Sequence, residues 1–202
     1  MQTCVIFCAA EFDRLDSPLD RALVIAADGG LRHTRALGIV PDIVLGDFDS
    51  LGFVPEGAEI FPVEKDDTDA MLAVRKGLAA GCREFILYGA MDGSRVDHTV
   101  ANFQLLSFLA DRGARGTLVG LRQCATVIRD GTVRFPAESK GIFSVFCMGA
   151  DAKGVTISGG QYPLQNGCLS AGFPLGVSNH FVGREVEISV EQGSLLIIWD
   201  RQ

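Results

Sequence analysis

The stretch EFILYGAMDGSRVDHTVANFQLLSFLAD, residues 84–111, decides the fold class. It opens on EFILYG (84–89), a short apolar run closed by glycine, which reads as a buried strand. A polar loop follows, and HTVANFQLLSFLAD (98–111) then reads as a helix. That helix is apolar on nearly every face, so it is expected to pack on two sides. The alternation continues on either side. TCVIFCAA (3–10), ALVIAA (22–27), DIVL (42–45), AEIF (58–61) and GTLVGL (116–121) read as further short strands. Helices are expected over 30–37 and 68–80; in the second, Met71, Val74 and Leu78 recur at helical spacing and Gly81 follows as a stop. Strands alternating with helices predict an α/β layer with a largely parallel, Rossmann-like sheet.

After residue 121 the texture changes. ATVIRDGTVRFP (125–136) reads as a hairpin turned by Asp130-Gly131. GIFSVFCMG (141–149), GVTIS (154–158), REVEISV (184–190) and SLLIIWD (194–200) follow as strands between glycine-rich turns, with no convincing helix. Strands at this spacing predict an all-β sandwich or barrel. The expected domains are therefore 1–122, α/β, and 123–202, all-β. No Pro/Ser-rich linker separates them.

Bulk properties remove several functions. The chain of 202 residues is 48% hydrophobic and 21% charged, enough for a real core. A net charge of −7 without any basic cluster argues against nucleic acid as a partner. The amino terminus lacks a basic n-region and its apolar run is broken by Glu11, so it does not read as a signal peptide. No apolar stretch approaches the roughly 20 residues of a membrane span. Six cysteines without a C-x-x-C pair, mostly in apolar runs, read as free core thiols, and the expected compartment is the cytoplasm.

Aspartate is concentrated in the first half: nine of the sixteen lie between residues 28 and 97. They fall into four clusters, each where a strand should end: AADGG (26–30), GDFDS (46–50), DDTDA (66–70) and GAMDGSRVDHT (89–99). In open α/β sheets ligands bind outside the carboxyl ends of the strands, so these clusters can share one site. If the backbone stays extended, Asp47 and Asp49 project to one side and suit a hard cation such as Mg²⁺. Taken alone, however, D-x-D reads first as an acidic turn. Asp66 or Asp67 is expected to cap the 68–80 helix, which leaves Asp69 or a neighbour for a metal or cation. In the last cluster the loop entering a helix offers backbone N–H groups to phosphate, and Arg95 can add a bidentate contact. Asp97 can bind a metal or accept a proton, although Arg95–Asp97 also reads as a local ion pair and His98 as a residue of the first helical turn. Asp28-Gly29-Gly30 reads as a strand-to-helix turn close to a ligand. In the β half, Ser178-Asn179 reads either as a turn or as a pair of polar groups that orient a small ligand. Together these residues suit a Mg²⁺-dependent site for a phosphorylated substrate such as a nucleotide.

ADGG, GDFDS, DDTDAMLAV, GSRVDHTVANFQLL and GVSNHF, in this order and with these gaps, resemble the thiamin pyrophosphokinase (thiamine diphosphokinase) family. The resemblance implies transfer of the pyrophosphoryl group of ATP to the thiamine hydroxyl, giving thiamine diphosphate and AMP. It implies a homodimer whose active site lies between the α/β domain of one subunit and the β domain of the other. By position, Asp47, Asp49 and Asp69 would be the Mg²⁺ and phosphate-side carboxylates. Asp28, Gly29, Thr68, Arg95 and His98 would lie on the ATP side, Asp97 near the transferred group, and Ser178 and Asn179 against thiamine. The chain departs from the pattern at Met71, where T-D-x-E has an acid, and this shifts weight onto Asp66, Asp67 and Asp69. It departs again at DGSRVDH, one residue longer than G-G-R-x-D-H, where Asp92 either enters the site or makes the turn. His180 replaces the glutamate of S-N-E-F and bears on thiamine specificity. The nearest alternative is a pyrophosphokinase for another hydroxymethyl heterocycle, such as a pterin. An alternative of another class is a nucleotide- or thiamine-binding module without chemistry.

Overall fold

Nearly unbroken apolar runs such as CVIF (4–7) can be satisfied only by a strand covered on both faces, as parallel sheets are. The computed structural model, which describes residues 2–49 and 51–202, bears this out. Met1 and Ser50, the last residue of the GDFDS motif, lie outside the described residues. The chain divides into two compact units, 1–105 with 116–121, and 106–115 with 122–202.

The first unit contains β1 (Thr3–Phe7), β2 (Leu23–Ala27), a 3-10 turn (Asp28–Gly30), α1 (Leu31–Ala36), β3 (Ile43–Gly46), β4 (Glu59–Ile60), α2 (Asp69–Ala79) and β5 (Glu84–Tyr88). It also holds the start of α3 (Val96–Ala110) and most of β6 (Arg115–Val119). The strands lie in the order β6-β5-β1-β2-β3-β4. β1 runs parallel to both β2 and β5, and β3 is parallel to β2 and β4. The order therefore runs outward in opposite senses from β1 and β5, which makes that pair the topological switch point, where a crevice opens. Cys4, Ile6, Phe7, Ile25, Ala26 and Leu87 are fully buried. Helix α2 starts at Thr68, whose hydroxyl accepts a hydrogen bond from the Met71 N–H at 3.2 Å. Capping thus falls to Thr68 rather than to Asp66 or Asp67. Asp66 is exposed, and Asp67 pairs with Arg75 at 2.8 Å.

The second unit continues with β7 (Gln123–Arg129), β8 (Thr132–Phe135), β9 (Ile142–Cys147), β10 (Ala152–Ser158), β11 (Leu164–Leu169), β12 (Gly176–His180), β13 (Val186–Ser189) and β14 (Ser194–Asp200). Within it, β12-β9-β14-β7 and β11-β10-β13-β8 form two antiparallel layers. Phe143, Val145, Val155, Ile157, Val186, Ile188, Leu195 and Ile197 belong to one buried cluster, giving a β-sandwich. The expected hairpin at Asp130-Gly131 does not form. β7 pairs with β14, and β8 pairs with β13 in the other layer. The Asp-Gly pair turns a corner because its hydrogen bonds go elsewhere. Asp130 Oδ1 accepts from Gly193 N at 2.8 Å, and Gly131 O accepts from Val190 N at 3.0 Å. Among the described residues, no helix is long and apolar enough to cross a membrane.

Gly30 is the tightest point of the first unit near the site. A Cβ there would lie 1.9 Å from the Phe7 carbonyl oxygen and 2.9 Å from the Cys8 nitrogen, both backbone atoms that cannot move aside. Gly30→Ala is expected to destabilise the protein by about 1–3 kcal/mol or more, lowering the melting temperature by about 2–4 °C per kcal/mol. Gly172→Ala, where nothing lies within 4 Å of the added Cβ, is the matched control and should leave thermal unfolding unchanged.

Candidate active site

Parallel strands deliver their following loops to one edge, and here those loops enclose a cleft of about 650 Å³. Its walls come from residues 8–11 after β1, 27–28 after β2, 47 and 49 after β3, 63 and 68–70 around the start of α2, and 89, 90 and 92–95 after β5. The first turns of α3 add His98, Thr99 and Asn102. The loops of the switch-point strands β1 and β5 are thus both present.

Three carboxylates meet in this cleft. Asp28, Asp47 and Asp69 each place an oxygen within 4.8 Å of the other two. Each arrives by a local device. Asp28 follows β2 with φ +46, a left-handed conformation that aspartate tolerates. Gly46 ends β3 at φ +149, and a Cβ there would lie 3.1 Å from the Asp28 backbone. Only glycine lets the two strand ends come this close. Asp69 is the first residue of α2, where a carboxylate faces the positive end of the helix dipole.

The extended geometry expected of Asp47 and Asp49 is not adopted, because Phe48 between them has φ +61. The left-handed backbone costs roughly 1–2 kcal/mol, and burying the Phe48 ring, 3% exposed, offsets it with about 1.5–3 kcal/mol. The kink leaves the Asp49 N–H 3.4 Å from Asp47 Oδ1, to which it donates. Asp47 joins the cluster, whereas Asp49 lines the cleft without belonging to it.

A lysine sits among these acids. Lys65 Nζ lies 2.8 Å from Asp47 Oδ2 and 3.1 Å from Asp69 Oδ1, and donates to the Pro62 carbonyl at 3.1 Å. The side chains of Lys65 and Asp47 are only 13% and 12% exposed. The Lys65 hydrogen bond holds Asp47 below the usual carboxylate range. Burial pushes Asp69 up, and Lys65 opposes the shift without reversing it. Burial would lower Lys65 as well, but its two acidic neighbours outweigh that and raise it. The buried Asp69 Oδ1 has Lys65 close by but no hydrogen bond of good geometry. A compact, half-buried set of oxygen donors with an unsatisfied atom fits a hard divalent cation. Cys8, also lining the cleft, is pushed up to about 12 by burial and stays a neutral thiol, unsuited to nucleophilic work.

The other expected residues fall as follows. Thr68 lines the cleft while capping α2. Gly29 is buried in the 3-10 turn and does not line the cleft. Arg95 and His98 line it, and Asp97 does not. Arg95 and Asp97 form a two-pronged ion pair at 2.7 and 3.4 Å, both largely exposed. Each raises or lowers the other accordingly: Asp97 lies below the usual carboxylate range through its bond to Arg95. Asp92 makes the turn at φ +58 and lines the cleft as well, its Oδ2 accepting from Leu121 N at 2.7 Å. In the second unit, Ser178 is exposed at φ +61. Asn179 is buried and spent on structure: its Oδ1 accepts from Tyr162 N and its Nδ2 donates to Tyr162 O, at 3.0 and 2.7 Å.

Two residues escaped the sequence reading. Lys65 precedes the DDTDA cluster and stands four residues before Asp69, a spacing that could have marked it. Asn102 is buried in α3 and donates to the Ala90 carbonyl at 2.7 Å, fixing the loop after β5. Nothing local signals that role.

Comparison with known proteins extends over both units. A model described as thiamin pyrophosphokinase, catalytic domain, matches residues 18–117, and one described as thiamin pyrophosphokinase, vitamin B1 binding domain, matches residues 132–195. Thiamine pyrophosphokinase of Bacillus subtilis (strain 168) is 26% identical over 188 residues, covering 89% of this chain and 87% of that protein. The crystal structure of thiamin pyrophosphokinase from Geobacillus thermodenitrificans superposes with a TM-score of 0.80 at 26% identity, covering 100% of this chain and 98% of that one. That of the yeast enzyme, at 15% identity, shares the fold with a TM-score of 0.73, covering 99% of this chain and 86% of its own. With one model on each half and relatives spanning nearly its whole length, the chain belongs to the thiamin pyrophosphokinase family.

Proposed function

We propose that the cleft binds ATP with Mg²⁺ and transfers the pyrophosphoryl group to the hydroxyl of thiamine, giving thiamine diphosphate and AMP. The observation that carries this reading is the convergence of Asp28, Asp47 and Asp69 in a cleft also lined by the 89–95 loop and the first turns of α3. In this reading Asp28, Asp47 and Asp69 hold the ion, and Asp49 supplies a further carboxylate at the wall. Bound there, Mg²⁺ would supply Lewis-acid stabilisation of phosphate charge.

The remaining residues bind and orient. Backbone N–H groups of the loop entering α3 suit phosphate oxygens. Arg95 supplies a planar, always-charged fork for them. Asp97 acts through Arg95, holding the guanidinium at the cleft until an anion takes its place. That exchange costs little, because the pair is solvated and weak. Thr68 accepts from Met71 and keeps its own proton for donation towards the nucleotide. His98 and Gly29 belong to the nucleotide side, His98 at the wall and Gly29 within the turn that sets Asp28. A loose transition state develops little charge on the attacking hydroxyl, so no protein base is required. Thiamine is the substrate of the β-sandwich in this reading. Ser178 faces it, and Asn179 shapes the strand that presents Ser178. The chain acts as a homodimer in the cytoplasm, in keeping with six free cysteines; sedimentation should give a species of two chains.

An assay of AMP release with ATP and Mg²⁺ tests the reaction. Turnover is expected with thiamine and not with a pterin alcohol, and should vanish on chelation with EDTA and return with added Mg²⁺. Silence with thiamine under all conditions would overturn the reading. Asp47→Asn, which removes one of the three converging charges without changing shape, is expected to lower kcat by about a hundredfold or more. Circular dichroism of that variant should match the parent.

A further inference from the structure

Three acids converging on one point require a counter-charge, and the chain carries its own. Lys65 Nζ stands between Asp47 and Asp69, at 2.8 and 3.1 Å, with a third contact to the Pro62 carbonyl. Asp47 and Asp69 are also two of the three carboxylates whose oxygens fall within 4.8 Å of each other. The lysine therefore takes up two of the carboxylates that a divalent cation would use. We propose that Lys65 is a built-in competitor for the cation, a tethered charge that occupies Asp47 and Asp69 until the metal displaces it.

This inference rests on the reading of the cluster as a cation site. Three observations favour competition over a purely structural ion pair. First, the ammonium binds the cluster itself rather than its periphery, so a metal held by the same carboxylates would face strong repulsion from the lysine. Second, Lys65 lies in a stretch without helix or strand between β4 and α2, and its neighbours Pro62, Val63 and Glu64 are exposed. The side chain can leave without disturbing either element. Third, Asp69 Oδ1 lacks a well-aligned hydrogen bond even with Lys65 nearby, so the lysine satisfies the site incompletely. A metal at about 2 Å from its oxygens satisfies it better. The consequence is a cluster whose negative charge is partly offset before metal binds, and which takes up metal only weakly in the absence of nucleotide.

The test measures Mn²⁺ binding to the full chain without nucleotide, by electron paramagnetic resonance of the free ion, so that the readout is independent of turnover. Lys65→Met is expected to bind Mn²⁺ about tenfold more tightly or better than the parent, since one competing charge is gone. Lys65→Arg, which restores a cation of similar reach, should return affinity towards that of the parent. Thermal unfolding supplies a second readout. Without metal, Lys65→Met should melt below the parent, because its acids are left facing each other. With Mn²⁺, it should gain more in melting temperature than the parent does. A structural lysine would predict the reverse, with metal binding weakened along with the fold. Equal or weaker Mn²⁺ binding by Lys65→Met, with the parent still binding Mn²⁺ and turning over, overturns the competitor role and leaves the site reading standing. If neither protein binds Mn²⁺ and the parent shows no turnover, the site reading falls, and the competitor role falls with it.

Discussion

Mutual repulsion among Asp28, Asp47 and Asp69 is the constraint around which the first unit is organised. Two like charges 4–5 Å apart repel by roughly 3–4 kcal/mol at an effective dielectric of 20, and three such pairs meet here. Left to themselves, the side chains would turn outward to water. They are held because each is anchored to a rigid element: the end of β2, the end of β3 and the first turn of α2. Those elements are fixed in turn by strands buried on both faces, and Lys65 offsets part of the repulsion from within. Remove the buried sheet and the cluster would not persist.

Topology explains why the cluster lies beside a cleft rather than on a flat edge. The strand order reverses between β1 and β5, so the loops leaving that pair diverge and leave space between them. Divergent loops need ties. Asn102 holds the Ala90 carbonyl, Asp92 takes the Leu121 N–H, and His33 bonds the Ala10 carbonyl at 2.8 Å. Phe12 packs its ring against Phe7, Tyr88 and His33, pinning the loop after β1 to the sheet it leaves. Each tie is a side chain reaching across sequence to backbone or to a core ring.

That pattern accounts for what could be read from residues alone. Two-sided apolar runs and the 3.6 period of α2 are local properties, so the α/β layer and the β-sandwich were legible. The clustering of aspartates at strand ends was legible too, because turn and cap chemistry is local. The membership of the cluster was not. Asp28 reads as a turn close to a ligand, but its place beside Asp47 and Asp69 is set by strand order, which no window of sequence contains. The backbone path between Asp47 and Asp49 is not local either: the residues alone suggest an extended D-F-D, whereas burial of the Phe48 ring stabilises a left-handed kink. The Asp130-Gly131 hairpin failed for a similar reason: a two-residue turn sequence permits a hairpin, but hydrogen bonds from Val190 and Gly193 send the chain into the second layer.

Residues that build the site differ from residues that can answer a ligand. Asp92, Asn102 and Asn179 each spend side-chain atoms on backbone groups, and a ligand that took those atoms would leave the backbone unsatisfied. Lys65 and Arg95 differ, because their partners are carboxylates near the cleft rather than elements of the fold alone. A cation can replace Lys65 at the aspartates, and an anion can replace Asp97 at Arg95, so the aspartates and the guanidinium face opposite charge before and after. Two exchangeable ion pairs, one presenting acids and the other a guanidinium, suit a ligand that brings a metal and phosphates together. At the little-exposed Lys65 end this matters, since an uncompensated charge left behind costs more than a weak pair contributes. The arrangement therefore favours binding metal and phosphate as one unit over binding either alone.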